Sequence, residues 1–163
     1  MILCMLWSAV EYGRNMAPRL YLDYNCFQRG FDDPRQVRIR MEAAACERIF
    51  EDAEAGRVQL MWSFMHADEN RQCPYPERQE EVQRLSALCG VRIGPEDAIR
   101  SLAKRIETET GLAPKDCIHL GAAHYAQADV FVTCDDGILR RADRLPLEIL
   151  VSNPVDYVMR QCG

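Results

Sequence analysis

The chain has 163 residues, 48% of them apolar, with 20 Lys plus Arg against 25 Asp plus Glu and a formal net charge of −5. That length suits one domain with a real core, and the composition excludes a disordered chain. An acidic balance is not the usual footprint of a nucleic-acid binder, unless the acids are gathered around cations or a partner supplies basic surface.

None of the eight cysteines forms a C-x-x-C pair. This argues against a structural zinc site, and a mid-sized chain without secretory features needs no disulfide framework. The simplest reading is buried thiols in a reducing cytoplasm. Met1 to Val10 is mostly apolar but lacks a basic start and is followed by Glu11, a poor signal peptide and too short to span a bilayer. No membrane association is expected. Residues 1–16 read as an N-terminal extension: an upstream addition before a cleaner start at Met16, or an extra strand or docking segment. Residues 17–163 read as one domain.

In chain order, Arg19 to Asp23 (R-L-Y-L-D) is a short buried strand. Asp33-Pro34 gives an N-cap and first helical position, and Val37, Met41, Ala44, Ala45 and Ile49 follow at helical spacing to a stop at Gly56. Arg57 to Ser63 is the second strand. Phe64 to about Gln72 and Pro76 to about Leu88 read as helices, Val91 to Ile93 as a strand, and Pro95 to about Thr110 and Pro114 to about Ala128 as helices. Asp129 to Thr133 (D-V-F-V-T) is strongly β-prone. Asp136 is expected to cap a short helix through Ala142, Leu147 to Val151 to form the last strand, and Pro154 to start a terminal helical turn. Strands alternating with helices predict an α/β fold with a mostly parallel sheet covered on both faces. Ligands of such sheets sit beyond the carboxyl ends of the strands.

Acids recur at those ends. Asp23 closes the first strand, Asp68 and Glu69 lie on the helix after the second, Asp116 opens the helix leading to the D-V-F-V-T strand, and Asp135 and Asp136 follow that strand. Each has a bland reading: a strand end, a solvated side chain, or a charge favoured in a first helical turn. Asp136 is kept as structural. Convergent carboxylates repel one another and call for a cation, and hard oxygen donors suit Mg2+ or Mn2+.

These residues resemble the PIN-domain family. Asp23-Tyr24-Asn25 resembles its opening D-x-N, and Ser63 followed by Asp68-Glu69 its second-strand serine and acidic position. D-C-I-H-L-G-A-A from Asp116 resembles the Asp that opens a small-residue helix, and F-V-T-C-D-D from Phe131 a strand ending in T-x-D. All four occur in family order, over nearly the whole chain after the extension. The resemblance implies a three-layer α/β/α fold and a metal-dependent endoribonuclease, like the VapC toxins of bacterial toxin–antitoxin pairs. It also implies an antitoxin partner and a homodimer. Carried over, Asp23, Glu69, Asp116 and Asp135 would be metal ligands, with Asp68 the competing choice for Glu69. Asn25 would orient the site, and Thr133 would bond to a carboxylate or to water on the ion. Hydrolysis by water would need no 2′-OH and would leave 5′-phosphate ends.

Two departures from the family pattern are Tyr24, which stands where a small residue is common, and the adjacent Asp68-Glu69 pair, of which Glu69 is preferred for its spacing from Ser63. A haloacid dehalogenase-type phosphatase would need a second Asp where Asn25 stands. A catalytically silent PIN fold serving as a protein-binding module is the rival reading. Lys115 is a candidate phosphate contact, whereas Arg35, Arg38, Arg40, Arg140, Arg141 and Arg144 read as solvated helix faces. His119 lies on the Asp116 side of its helix but reads as structural, and Trp62 as core.

Overall fold

The computed structural model describes residues 16–163, so the expected N-terminal extension falls almost wholly outside the described residues. Five strands, β1 (Arg19–Leu22), β2 (Gln59–Ser63), β3 (Val91–Ile93), β4 (Val130–Val132) and β5 (Leu150–Ser152), form one sheet in the order β3-β2-β1-β4-β5. Every pairing is parallel, with Leu20 opposite Leu60 and Leu22 opposite Val132. Among the described residues, eight α-helices flank it: α1 (Tyr24–Gln28), α2 (Val37–Glu54), α3 (Phe64–Gln72), α4 (Pro76–Ser86), α5 (Asp97–Thr110), α6 (Pro114–Tyr125), α7 (Asp136–Leu139) and α8 (Pro154–Gln161).

The strands are short, and the three central ones are nearly all buried because both faces of the sheet are covered. Successive side chains of a strand point to opposite faces, and two cores result. Leu20, Leu22, Leu60, Trp62, Val130 and Val132 pack against Phe27, Cys46, Ile49, Val82, Leu85 and Tyr157. Tyr21, Met61 and Phe131 pack on the other face against Ile99, Ile106, Cys117, Leu120 and Ala122. This is the three-layer α/β/α arrangement expected.

Helices α5 and α6 approach closely where Gly121 lies against α5. A Cβ there would sit 3.1 Å from the Ile99 carbonyl oxygen. Gly121→Ala should therefore destabilise the fold by about 1–3 kcal/mol. A thermal melt checks this, and an unchanged midpoint would contradict the tight contact.

Several local readings differ from the structure; the last strand, expected from Leu147, starts at Leu150, and the short helix expected through Ala142 ends at Leu139. Helix α2 starts at Val37, with Gln36 in the cap position, because Asp33 is occupied by Arg35: it accepts from the Arg35 backbone N–H at 3.0 Å and from the guanidinium. Helix α1, five residues long, carried no periodicity long enough to read. The cap of α7 is Asp135 rather than Asp136: Asp135 Oδ1 accepts from Gly137 N at 2.6 Å and Ile138 N at 3.3 Å. Asp136 instead pairs with the Arg38 guanidinium at 2.6 and 2.8 Å. Gly137 suits that cap, since a Cβ there would meet Asp135 Oδ1 at 2.8 Å.

The sheet order also locates the crevice. The chain moves outward from β1 through β2 to β3, then returns to the other side of β1 with β4 and β5. The reversal lies between β1 and β4, the position at which parallel sheets open a ligand crevice beyond the carboxyl ends of the strands.

Candidate active site

Asp23 directly follows β1, and its backbone N–H continues the ladder to the Val132 carbonyl at 2.8 Å. The residue is buried, 6% exposed. Asp23 Oδ2 accepts from Thr133 Oγ1 at 2.7 Å and from Asn25 Nδ2 at 2.9 Å. Thr133 Oγ1 also accepts from Asp135 N at 3.0 Å, and Asn25 Oδ1 accepts from Cys134 N at 3.2 Å. The D-x-N and T-x-D segments are thus tied together across the crevice. Thr133→Val should cost about 10–100-fold in metal affinity, the usual loss when a residue supporting a ligand is removed, whereas Thr133→Ser should retain it. Manganese titration of both variants checks this, and equal affinities would contradict the bridging role.

Asp116 lies in the first turn of α6, facing the same space. Burial and the nearby Asp23 and Asp135 carboxylates raise its pKa to about 6. No hydrogen bond to its side chain occurs among the described residues. Burial likewise raises Asp23, against the pull of His119 and Thr133. Glu69, on α3, behaves differently. Burial pushes it up, but hydrogen bonds from His119 and Lys115 hold it below the usual carboxylate range. Lys115 Nζ lies 2.8 Å from Glu69 Oε2, and His119 Nε2 donates to Glu69 Oε1. Asp68 turns away to Arg71 at 2.6 Å and Gln72 at 2.8 Å.

Behind Glu69 runs a buried polar chain. His119 Nδ1 lies 2.7 Å from the Tyr21 hydroxyl, which lies 2.7 Å from Ser63 Oγ. His66 Nδ1 accepts from the Ser63 backbone N–H at 2.9 Å, so its Nε2 carries the proton and donates to the Leu22 carbonyl at 2.7 Å. That assignment makes His66 neutral, in keeping with its burial, which pushes its pKa well down. In sequence alone His119 reads as structural. Its direct contact with Glu69 depends on two helices meeting and could be anticipated only from its spacing of three from Asp116.

The other cations are mostly engaged. Arg141 bonds to the Gly137 carbonyl and Arg144 to the Glu109 carbonyl. Trp62 is buried in the core, stacked on His66. A cleft of about 360 Å3 opens beside Glu69, lined among others by Tyr24, Gln28, Tyr75 and Lys115.

The sequence profile of the PIN domain matches residues 37–145. The chain belongs to the PIN domain family. Glu69, Asp116, Thr133 and Asp135 fall inside the match, and Asp23 and Asn25 lie before it, joined to the others by the sheet. PIN domains are generally nucleases. Among solved structures, the chain is similar to a chain of the VapBC2 complex from Rickettsia felis bound to a DNA fragment from its promoter. The likeness has a TM-score of 0.57 at 12% identity and covers 83% of this chain and 98% of that one. At that identity it speaks to the fold. No curated protein matches the chain in sequence. No helix among the described residues is long and apolar enough to cross a membrane.

The donors of this PIN domain fit a hard divalent cation: they are carboxylate oxygens, and the half-buried Asp116 faces two like charges without a hydrogen-bond donor of its own. Among the described residues, no three of these acids bring oxygens within 4.8 Å of one another. Like charges repel, and Lys115 and His119 draw Glu69 aside. Because a proton competes for Asp116, Mn2+ affinity should weaken as pH falls through about 6. Titration across that range checks this, and a flat profile would contradict it.

Proposed function

We propose that the chain is a metal-dependent endoribonuclease hydrolysing RNA phosphodiester bonds, the toxin half of a toxin–antitoxin pair working as a homodimer in the cytoplasm. Asp23, Glu69, Asp116 and Asp135 are its Mg2+ or Mn2+ ligands, and Asn25 and Thr133 orient them. The observation that carries this reading is the gathering of carboxylates at the β1–β4 reversal, with Asp116 raised to about 6 by its neighbours. Membership of a family of nucleases, and a fold shared with a chain of a VapBC2 complex, support it.

Such an ion supplies activation of water and neutralisation of phosphate charge. The protein's own share is positional. Thr133 and Asn25 hold one face of Asp23, leaving its direction fixed from the β-sheet side. Asp135, pinned as a helix cap, cannot swing away. Lys115, about half exposed, can exchange Glu69 for a phosphate oxygen when RNA enters the cleft. The second partner is an antitoxin segment placing Arg or Lys among the carboxylates, where bidentate pairing is favourable.

The test is incubation of the purified full chain, free of any antitoxin, with labelled tRNA and other structured RNA in EDTA, Mg2+ or Mn2+. The reading requires cleavage in metal only, with 5′-phosphate and 3′-hydroxyl ends. A folded protein that cuts nothing with either ion would sink it in favour of a catalytically silent binding module.

A further inference from the structure

Three cysteines far apart in sequence meet beneath the acidic site. Cys26 comes from α1, Cys46 from the middle of α2 and Cys134 from the turn after β4, and their sulfurs all lie within 4.8 Å of one another. They are 1%, 2% and 6% exposed. A trigonal trithiolate with metal–sulfur bonds of about 2.3 Å spaces its sulfurs about 4 Å apart, so only small side-chain adjustments separate this group from a coordination shell. We propose that Cys26, Cys46 and Cys134 form a binding site for a soft, three-coordinate cation of the copper(I) type.

The donor set selects the ion. Thiolates prefer soft cations, whereas the carboxylates beyond them prefer hard ones. Zinc prefers four donors, and among the described residues no fourth His, Cys, Asp or Glu joins the group. Each ligating thiol releases its proton to solvent, leaving negative charge in a buried place. Arginines stand ready to offset it: Arg38 Nη2 donates to the Cys134 carbonyl at 3.4 Å, and Arg29 lies beside Cys134. Both are also held by Glu42. The site abuts the acidic cluster through one side chain. Cys26 Sγ donates to Asn25 Oδ1 at 3.4 Å, and the Asn25 amide holds Asp23. The inference does not depend on nuclease activity.

The test is anaerobic titration of the reduced full chain with copper(I) against a competing chelator. It is run on the native protein and on protein refolded with the ion present, so that slow entry into the core cannot mask binding. X-ray absorption of the loaded protein should show three sulfur neighbours, a readout that needs no variant. Cys26→Ser, Cys46→Ser and Cys134→Ser should each lose the chelator-resistant equivalent, while Cys89→Ser, buried elsewhere, and Cys162→Ser should keep it. No chelator-resistant copper in either preparation, a shell of two sulfurs, or full binding in folded variants of the three would each overturn the proposal.

Discussion

Asp116→Asn should abolish metal-dependent RNA cleavage and, at neutral pH without metal, make the protein more heat-stable than the wild type. The first half follows, on the proposed function, from loss of one carboxylate charge that would hold the ion. Electrostatic stabilisation by a catalytic ion amounts to several kcal/mol, so a loss on the order of 100- to 1000-fold or more is expected. The second half follows from the raised pKa. Asp116 titrates near 6 in the folded chain against an ordinary value of 3.8, because of burial and of Asp23 and Asp135. A group raised in the folded state contributes stability that is fully present below its unfolded value and is lost as pH rises through its folded value. At neutral pH the charged Asp116 is therefore a burden, and Asn removes it. The gap between variant and wild type should close as pH falls towards about 4. Melts in EDTA across that range, with cleavage assays beside them, decide it. An inactive variant that is less stable at neutral pH would show that Asp116 is a structural carboxylate.

Glu42→Ala should cost the fold about 3–5 kcal/mol, the usual penalty for removing one partner of a buried ion pair. Glu42 is 1% exposed. It accepts from Arg29 Nε at 2.7 Å, Arg38 Nε at 2.9 Å and Asn153 Nδ2 at 2.8 Å. It thereby joins the turn after α1, the body of α2 and the start of α8. Without it, among the described residues Arg29 keeps only Asp32 and Arg38 only Asp136 as side-chain acceptors. At about 2–4 °C per kcal/mol for a chain of this size, the melting midpoint should fall by roughly 6–20 °C. Burial pushes the Glu42 carboxyl up, but its three donors hold it below its ordinary value of 4.5. Its stabilisation is therefore present above that value and lost as pH falls through the folded one. A variant that melts within a degree or two of the wild type would show that solvent satisfies these arginines as well.

Glu42 also shows why part of the molecule was illegible in the sequence. It sits mid-helix among alternating charges, a setting that is usually solvated, and Arg38 was read as a solvated face. Only the packing of three distant segments makes it a buried hub. The Tyr21–His119–Glu69 chain is hidden for the same reason, since its members lie on β1, α6 and α3. The cysteine group is hidden too, because no short spacing announces it. By contrast, the succession of strands and helices was legible: D-V-F-V-T and the runs before Asp23 and Ser63 are β-prone and apolar, and Gly111 and Pro114 punctuate the helices between. The acids stood out because parallel strands deliver their carboxyl ends to one edge. The confusion of Asp135 with Asp136 as the helix cap is a matter of one residue. Two adjacent acids before Gly137 offer equal caps in sequence, and only the engagement of Asp136 by Arg38 separates them.

Whether these carboxylates hold a hard divalent ion is decided by anomalous diffraction from crystals of the full chain grown with Mn2+. A manganese peak is expected between Asp23 and Asp116, with Glu69 released from Lys115 towards it. Fully formed crystals whose anomalous map is empty there, or whose manganese sits on other residues, would contradict it.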